Sequence, residues 1–300
     1  MAVHCRTPRR RRGASPLLAA LLLGFFSAPA VAQTAREHRD VVYATVDGRD
    51  LVLDLFLPAG VERPPLLVWV HGGAWRSGSK DDAPRVFVEN GFAMASVGYR
   101  LSTEARFPAA IHDLKAAIRF LQARAGQYGY RAERIAIAGE SAGGHLAALV
   151  GVSNGVEELE GTVGEHLSES SDVHAILDYF GAADLQTILA QSTPHGLDVR
   201  VPALELFLGD QPENVPALAR LASPVAHVDR ADPPLLMLHG DRDPQMPINQ
   251  SHQLEEAYRA LGLEVDLRVV HGAAHGGSSF YSVENLGAAL DFLRRALGPS

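Results

Sequence analysis

Short apolar runs alternate with helical periodicities along residues 41–298. Near the start, Val41–Val46 and Leu51–Leu57 predict two strands joined by a turn at Asp47-Gly48, which indicates an antiparallel hairpin. Further along, continuous apolar runs predict strands buried on both faces, and apolar residues at helical spacing predict helices. The predicted strands are Pro65–Val70, Phe92–Val97, Arg134–Ala138, Ala175–Phe180, Leu235–Leu238 and Val265–Val270, and the predicted helices are Asp82–Glu89, Ala109–Ala123, Ala142–Val150, Gln250–Ala260 and Asn285–Leu297.

This alternation predicts an α/β fold in which a mostly parallel central sheet is covered by helices on both faces. Residues 181–232 interrupt it with five prolines and short apolar pieces such as Ala203–Leu208. Because loops this long are usually functional or disordered, we interpret them as a short cap-like insertion that could cover a site. No linker marks a domain boundary, so residues 33–300 are predicted to form a single domain.

The first 32 residues have the pattern of a secretory signal peptide. A basic start with five arginines precedes an apolar run, Leu17–Phe26, and the small residues Ala30-Val31-Ala32 follow. The run is shorter than the roughly 20 residues that a membrane-spanning helix needs, which favours cleavage after Ala32 over an uncleaved anchor. We therefore expect a periplasmic or secreted protein without stable membrane insertion after cleavage; the arginines leave a twin-arginine route open.

The charge balance changes once these residues are removed. Without the five arginines, 22 Lys and Arg face 35 Asp and Glu, a net charge of −13. An acidic protein lacks the basic face that nucleic acid or anionic membrane requires, so neither is expected as a partner. The only cysteine, Cys5, lies in the signal. The mature chain is thus predicted to have no disulfide, thiol nucleophile or thiolate metal site.

The strongest chemical signal is Gly139-Glu140-Ser141-Ala142-Gly143-Gly144. It directly follows one predicted strand and begins the next predicted helix. A serine on so sharp a turn is held in strained backbone geometry, and glycines two positions before and after it leave room for the chain to pass. The helix N-terminus stabilises negative charge nearby. This context indicates that Ser141 is a nucleophile.

A second signal, His71-Gly72-Gly73-Ala74-Trp75, directly follows the strand that ends at Val70. Acyl transfer needs backbone N–H groups that point at the oxygen becoming negative in the tetrahedral intermediate, and small residues leave such groups unobstructed. We predict donors at Gly73, Ala74 and Ala142, the residue after the nucleophile, with Gly72 shaping the turn.

A serine nucleophile also needs a general base and an acid, which follow it in the chain on this kind of fold. Two carboxylates, Asp241 and Asp243, and two histidines, His271 and His275, follow the last two predicted strands, at the sheet edge where ligand sites lie. Spacing does not choose between the carboxylates. His275 lies in a glycine-rich loop that can bring its ring over the serine, whereas His271 lies nearly at the strand end.

These motifs resemble the carboxylesterase branch of the α/β hydrolases, close to its hormone-sensitive-lipase-like and bacterial feruloyl-esterase-like (BD-FAE type) groups. The resemblance covers essentially all of residues 41–298 and implies an α/β-hydrolase fold. The family places its acid three residues after the glycine that ends the strand, which selects Asp243, and it likewise selects His275. Ala74 replaces a frequent third glycine of the oxyanion loop, and the short cap weakens substrate inference by analogy.

The hypothesis is a serine carboxylesterase that hydrolyses small or short-chain acyl esters through a Ser-His-Asp triad and a covalent acyl-enzyme. No metal or cofactor is implied, and the expected partner is a small-molecule ester. Two alternatives stay open: an amidase of the kynurenine-formamidase type, and a ligand-binding homologue without catalysis. The sequence does not indicate the physiological ester or the oligomeric state. Candidate pocket walls are Trp75, Tyr99, Phe207 and Met246.

Overall fold

Residues 1–5 and 34–298 are described by the computed structural model of the chain, and eight strands within them form one sheet. These strands are β1 (Arg36–Val46), β2 (Arg49–Leu57), β3 (Pro65–Val70), β4 (Ala93–Val97), β5 (Arg131–Glu140), β6 (Ala175–Tyr179), β7 (Leu235–Gly240) and β8 (Val265–Val270). Across the sheet their order is β1-β2-β4-β3-β5-β6-β7-β8. The first two strands form the predicted hairpin, β2 also pairs antiparallel with β4, and every later pair is parallel. The prediction of a mostly parallel sheet is confirmed.

Helices connect these strands. They are α1 (Val86–Glu89), α2 (Ala109–Tyr128), α3 (Ala142–Val152), α4 (Glu157–Glu160), α5 (Ile188–Gln191), α6 (Pro194–Leu208), α7 (Pro216–Leu221), α8 (Asn249–Ala260) and α9 (Val283–Leu297). Three short 3₁₀ helices add Lys80–Asp82, Pro224–Ala226 and Ser278–Tyr281.

Strand β3 shows why helices cover both faces. All six of its residues are buried, and successive side chains of a strand point to opposite faces. Leu66 and Val68 belong to a core cluster that also contains buried side chains of α2, α3 and α8. Leu67 and Trp69 belong to a second cluster, shared with α1 and α9. The sheet is therefore the middle layer of the predicted three-layer arrangement.

The predicted helix over Asp82–Glu89 is wrong in extent. A 3₁₀ turn ends at Asp82, and one turn of α-helix begins at Val86. Between them Ala83 is extended, with φ −71° and ψ 133°. It precedes Pro84, whose ring disfavours helical geometry in the preceding residue.

The insertion over residues 181–232 is more helical than its prolines suggest. Helix α6 has 15 residues, with Pro194 in the first turn and Pro202 inside. A proline is tolerated in the first turn because its missing N–H would have no partner there. The Thr193 side chain caps this end by accepting a hydrogen bond of 3.0 Å from the Gly196 N–H.

The predicted signal peptide covers residues 1–32, of which residues 6–32 lie outside the described residues. Residues 34–298 belong to one compact unit. Within the described part of the chain, no helix combines the length and the apolar character that crossing a membrane requires.

Candidate active site

Ser141 lies on the turn between β5, which ends at Glu140, and α3, which begins at Ala142. Its backbone has φ 54° and ψ −117°, a conformation that side chains rarely adopt and that costs about 1–3 kcal/mol. The Ser141 N–H donates a hydrogen bond of 2.8 Å to the carbonyl of Tyr179 on the neighbouring strand β6. This fixed turn leaves the side chain 9% exposed at the carboxyl edge of the sheet.

The two glycines that flank the turn are required by close backbone packing. A Cβ atom on Gly143 would collide with the carbonyl oxygens of Val70 and His71, at the end of β3. One on Gly139 would collide with the Gly143 carbonyl and lie 2.7 Å from the Val70 oxygen. Helix α3 therefore begins directly against the end of β3, which brings Ser141 beside the loop that follows that strand.

A continuous chain of hydrogen bonds joins the three predicted triad residues. The Ser141 Oγ atom lies 2.8 Å from Nε2 of His275, and the His275 Nδ1 atom lies 2.6 Å from Oδ2 of Asp243. His275 comes from the loop after β8, and its ring packs against Phe180 at a centroid distance of 4.7 Å. Residues from three separate loops thus meet at one edge of the sheet.

Asp243 is held in a buried network. Its side chain is 1% exposed, and Oδ1 accepts hydrogen bonds of 2.8 Å from the N–H groups of Gln245 and Met246. Burial by itself would raise the pKa of Asp243, but hydrogen bonds from His239 and His275 to the carboxylate lower that pKa well below its ordinary value. The group therefore stays ionised at neutral pH, as a partner for the imidazole.

The other candidate carboxylate and histidine form a separate pair. Asp241 accepts a hydrogen bond of 2.9 Å from Nδ1 of His271, and its second oxygen accepts one of 2.6 Å from the Gly272 N–H. The His271 side chain is 84% exposed. This pair fastens the start of the loop that carries His275, and its histidine does not bond Ser141.

The loop after β3 lies against the serine turn. A Cβ atom on Gly72 would come within 2.9 Å of the Glu140 carbonyl oxygen and 3.5 Å of Ser141 Cβ. The next two residues have positive φ, 112° at Gly73 and 50° at Ala74. Among the hydrogen bonds of the described residues, none uses the N–H of Gly73, Ala74 or Ala142 as donor. These three groups are available to a ligand oxygen.

His275 and Ser141 open into a cavity of about 600 Å³. Eight of its fifteen lining residues have polar or charged side chains, five are glycines, and Phe180 is its one large apolar side chain among the described residues. The lining residues are Gly72, Gly73, Ala74, Arg76, Ser77, Gly78, Asp82, Glu140, Ser141, Phe180, Arg200, Gln245, His275, Gly276 and Gly277.

None of the four predicted pocket walls lines this cavity. Trp75 and Phe207 are 1% exposed and stack on each other in the core at 4.8 Å. The Trp75 Nε1–H donates to Nδ1 of buried His145 at 3.0 Å, which holds the indole in the core. Tyr99 stacks on His71 below the loop, and Met246 is fully buried. All four side chains pack in the core, so the predictions that they line the pocket are wrong.

The sequence reasoning missed several polar residues of the cavity. Glu140 was visible inside the motif around the nucleophile, and its carboxylate accepts a 2.6 Å hydrogen bond from the Tyr281 hydroxyl. Burial raises the pKa of Glu140. Gln245 lies two residues after Asp243, in a loop that the sequence had singled out. Arg200 lies on α6, where a charged residue between Val199 and Val201 was a weak signal.

The sheet order and the serine on its turn are those of an α/β hydrolase, and comparison with solved structures confirms this fold. A truncated carbohydrate esterase from gut microbiota has 30% sequence identity and a TM-score of 0.79, with 89% of this chain and 98% of that chain covered. Esterase Est2 from the Planctomycetes species Thermogutta terrifontis has 27% identity and a TM-score of 0.70, with 87% and 94% covered.

Residues 53–258 match the BD-FAE family, and the chain belongs to that family. Esterase LipQ of Mycobacterium tuberculosis is 33% identical over 241 residues, which cover 76% of this chain and 54% of LipQ. Isoprenylcysteine alpha-carbonyl methylesterase of Arabidopsis thaliana is 28% identical, with 79% of this chain and 56% of that protein covered. The chain thus spans about half the length of the curated relatives it matches. These relatives are esterases, as the resemblance seen in the sequence motifs implies.

Proposed function

We propose that this chain hydrolyses carboxylic esters of short acyl chains, with Ser141, His275 and Asp243 as a catalytic triad. The observation that carries the proposal is the unbroken hydrogen-bond chain from Ser141 Oγ through His275 to Asp243, with heavy-atom distances of 2.8 and 2.6 Å. The shorter distance lets Asp243 orient the imidazole through a direct hydrogen bond, and the longer one allows direct proton transfer from Ser141 to His275.

The first half of the reaction transfers the acyl group to the serine. The neutral imidazole of His275 has its proton on Nδ1, and this N–H donates a hydrogen bond to Asp243. The Nε2 lone pair of His275 then accepts the Ser141 hydroxyl proton. The Oγ atom then bonds to the ester carbonyl carbon, and the carbonyl electrons move onto its oxygen. When the tetrahedral intermediate collapses, the bond to the alcohol oxygen breaks. That oxygen takes the proton from Nε2 and leaves as the free alcohol.

The second half repeats these steps with water. His275 accepts a proton from the water as its oxygen attacks the acyl carbon, and the proton then returns to Ser141 Oγ as the carboxylic acid leaves. The buried negative charge of Asp243 stabilises the imidazolium in both halves. The enzyme ends each cycle in its starting protonation state.

The oxygen that becomes negative needs preorganised donors. The unpaired N–H groups of Gly73, Ala74 and Ala142 supply them in this proposal, and the N-terminus of α3 adds a favourable dipole. Losing one such donor typically costs about 10²–10³ in rate. These are backbone groups, so Ala74 is compatible with the role despite its methyl group.

Two features support small acyl groups. The cavity wall offers Phe180 as its one large apolar surface among the described residues, so a long alkyl chain would find little to bury against. In addition, Est2 of Thermogutta terrifontis has been solved with propionate and with butyrate bound, and both are short-chain acids.

The acyl-chain preference gives a direct test. We expect measurable hydrolysis of 4-nitrophenyl acetate and butyrate, with kcat/KM at least about tenfold lower for the palmitate, because its long chain loses conformational freedom in the cavity without gaining apolar contact. Assays of 4-nitrophenol release across the ester series, at constant detergent concentration, measure kcat/KM for each chain length. A rise in kcat/KM towards palmitate would contradict the short-chain proposal. Absence of turnover with every ester would overturn ester hydrolysis, and N-formylkynurenine would then be the next substrate to assay.

Export is a separate proposal, based on the basic and apolar segments of residues 1–32. In a Gram-negative host, we expect the full chain to yield periplasmic or secreted protein whose N-terminus is Gln33, as measured by intact mass and N-terminal sequencing. A Leu22→Arg variant, which interrupts the apolar run, should leave the protein uncleaved in the cytoplasm. A wild-type product that keeps Met1 and stays cytoplasmic would contradict the proposal.

A further inference from the structure

Arg200 projects from α6 into the wall of the catalytic cavity. Its side chain is buried, with 1% relative exposure, yet it lines the same cavity as Ser141, His275 and Gln245. It is the cap helix α6, and not the sheet, that contributes this charge. Arg200 therefore shares the cavity of the proposed triad without belonging to the triad.

The Arg200 guanidinium has no partner among the described residues. It takes part in no hydrogen bond or ion pair there, and its Nε and Nη2 atoms are buried without an acceptor. By contrast, buried Asp243 bonds His275 and two backbone N–H groups. Burying an unpaired charge is costly, so an acceptor from outside the protein is expected at this point.

The side chain is cationic at neutral pH. Burial lowers the pKa of Arg200 to about 10, and the negative charge of Asp243 acts in the opposite direction. A pKa near that value leaves the guanidinium protonated under ordinary assay conditions. Its Nε and Nη2 atoms are buried, so Nη1 is the nitrogen from which a carboxylate in the cavity can accept a charge-assisted hydrogen bond.

The other charged groups that face the cavity do not satisfy Arg200. Asp82 accepts a hydrogen bond of 3.0 Å from the Ser79 N–H, and Glu140 accepts its own from Tyr281. Arg76 is a second cation of the wall, but it is partly exposed and can be hydrated. Arg200 is the buried charge of the wall that still lacks an acceptor within residues 34–298.

We infer that Arg200 binds a carboxylate carried by the substrate, so that the preferred substrates are esters with an acidic group near the scissile bond. The inference rests on the proposed ester hydrolysis and specifies its substrate class. The carboxylate could belong to the acyl part, as in the half-ester of a dicarboxylic acid, or to the alcohol part, as in an ester of a hydroxy acid or acidic sugar. Both sources place the same anion beside the same guanidinium.

Two matched substrate pairs distinguish these sources. Mono-4-nitrophenyl adipate against 4-nitrophenyl hexanoate changes the charge of the acyl part at equal carbon number. The pair 4-acetoxybenzoate and 4-acetoxybenzamide changes the charge of the alcohol part. We expect the wild type to favour the charged member of one pair, and Arg200→Met to lower that ratio of kcat/KM values by about 10- to 100-fold, the usual worth of a charge-assisted hydrogen bond.

Controls separate recognition from a change in overall charge or in folding. Arg220→Met removes an exposed arginine from the same cap region and should leave both ratios unchanged. Arg200→Lys keeps the charge on a differently shaped donor group and should recover part of the preference. Replacement of a buried charge by an apolar side chain of similar size is often neutral for stability, and thermal unfolding of each variant checks this.

A positioning role through Asp243 gives a different result. If Arg200 acted only through the triad, Arg200→Met would lower turnover of charged and neutral esters equally, and the unchanged ratio would overturn the inference. A wild type without preference in either pair would overturn it as well. Turnover of the neutral esters in these same assays shows whether ester hydrolysis itself stands.

Binding without turnover gives an independent measurement. In a Ser141→Ala background, calorimetry with the preferred charged ester should give an affinity about 10- to 100-fold weaker once Arg200→Met is added. Equal affinities in the two proteins would contradict the inference whatever the activity assays show.

Discussion

Replacement of Ser141 by alanine is expected to lower kcat for 4-nitrophenyl acetate by about 10⁴- to 10⁶-fold, the range found when a triad nucleophile is removed. Alanine deletes the Oγ atom that lies 2.8 Å from His275 Nε2 and leaves the N–H groups of the adjacent turn in place. Some residual rate over water is therefore expected from the cavity and its donors. Steady-state kinetics at saturating substrate measure the effect.

Folding and chemistry must be separated in this comparison. Ser141→Ala should unfold at nearly the wild-type temperature, because alanine adds no atom to the strained turn. Ser278→Ala, at an exposed serine after the His275 loop, should keep wild-type activity. Paraoxon should add one diethylphosphoryl group to the wild type and Ser278→Ala but none to Ser141→Ala, as seen by intact mass. Undiminished esterase activity in pure Ser141→Ala would refute Ser141 as the nucleophile.

The local parts of this site were predictable from the sequence. The turn around Ser141 depends on residues that are consecutive in the chain, because Gly139 and Gly143 must pass the backbone of β3 closely. The same holds for the loop after β3, where Gly73 and Ala74 adopt positive φ. Strand and helix order follows from apolar runs, so the edge at which these loops meet was also predictable.

The pairing of acids with bases could not be derived from spacing. Asp241 and Asp243 are two residues apart after the same strand, and His271 and His275 follow the next one. All four form hydrogen-bonded pairs, so polarity does not separate them. Burial does: the Asp243 carboxylate is 1% exposed, and the Asp241 carboxylate is 36% exposed. Burial depends on how each loop folds over the sheet, which only resemblance to a family could anticipate.

The cavity wall was the least predictable part. Trp75 follows the loop directly in sequence, but its direction depends on a hydrogen bond to His145, 70 residues later. Conversely, Arg200 reaches the cavity from α6, a helix that the prolines of that segment concealed in the sequence. The direction of a side chain within an insertion depends on tertiary packing. Hydrophobicity alone therefore assigned large apolar residues to the pocket wall, whereas they lie in the core.

Replacement of Asp243 by asparagine is expected to lower kcat by about 10³- to 10⁴-fold with little change in KM. The amide is nearly the same size as the carboxylate, and its oxygen can still accept the N–H groups of Gln245 and Met246. Its NH₂ group, however, would face His275 and favour the tautomer that has the proton on Nε2. That tautomer cannot accept the Ser141 proton, and the imidazolium also loses its buried counter-charge. Single-turnover kinetics on 4-nitrophenyl acetate report this acylation step.

The neighbouring carboxylate offers a matched control for this substitution. Asp241→Asn makes the same chemical change two residues away, and its amide oxygen can still hold the Gly272 N–H at the start of the loop. We expect its acylation rate to stay within a few-fold of wild type, because exposed His271 does not bond the nucleophile. Equal losses in the two variants would mean that both carboxylates act only by holding the loop, since a tautomeric effect requires contact with the base. A loss confined to Asp241→Asn would transfer the acid role to that residue and exclude Asp243 from the triad.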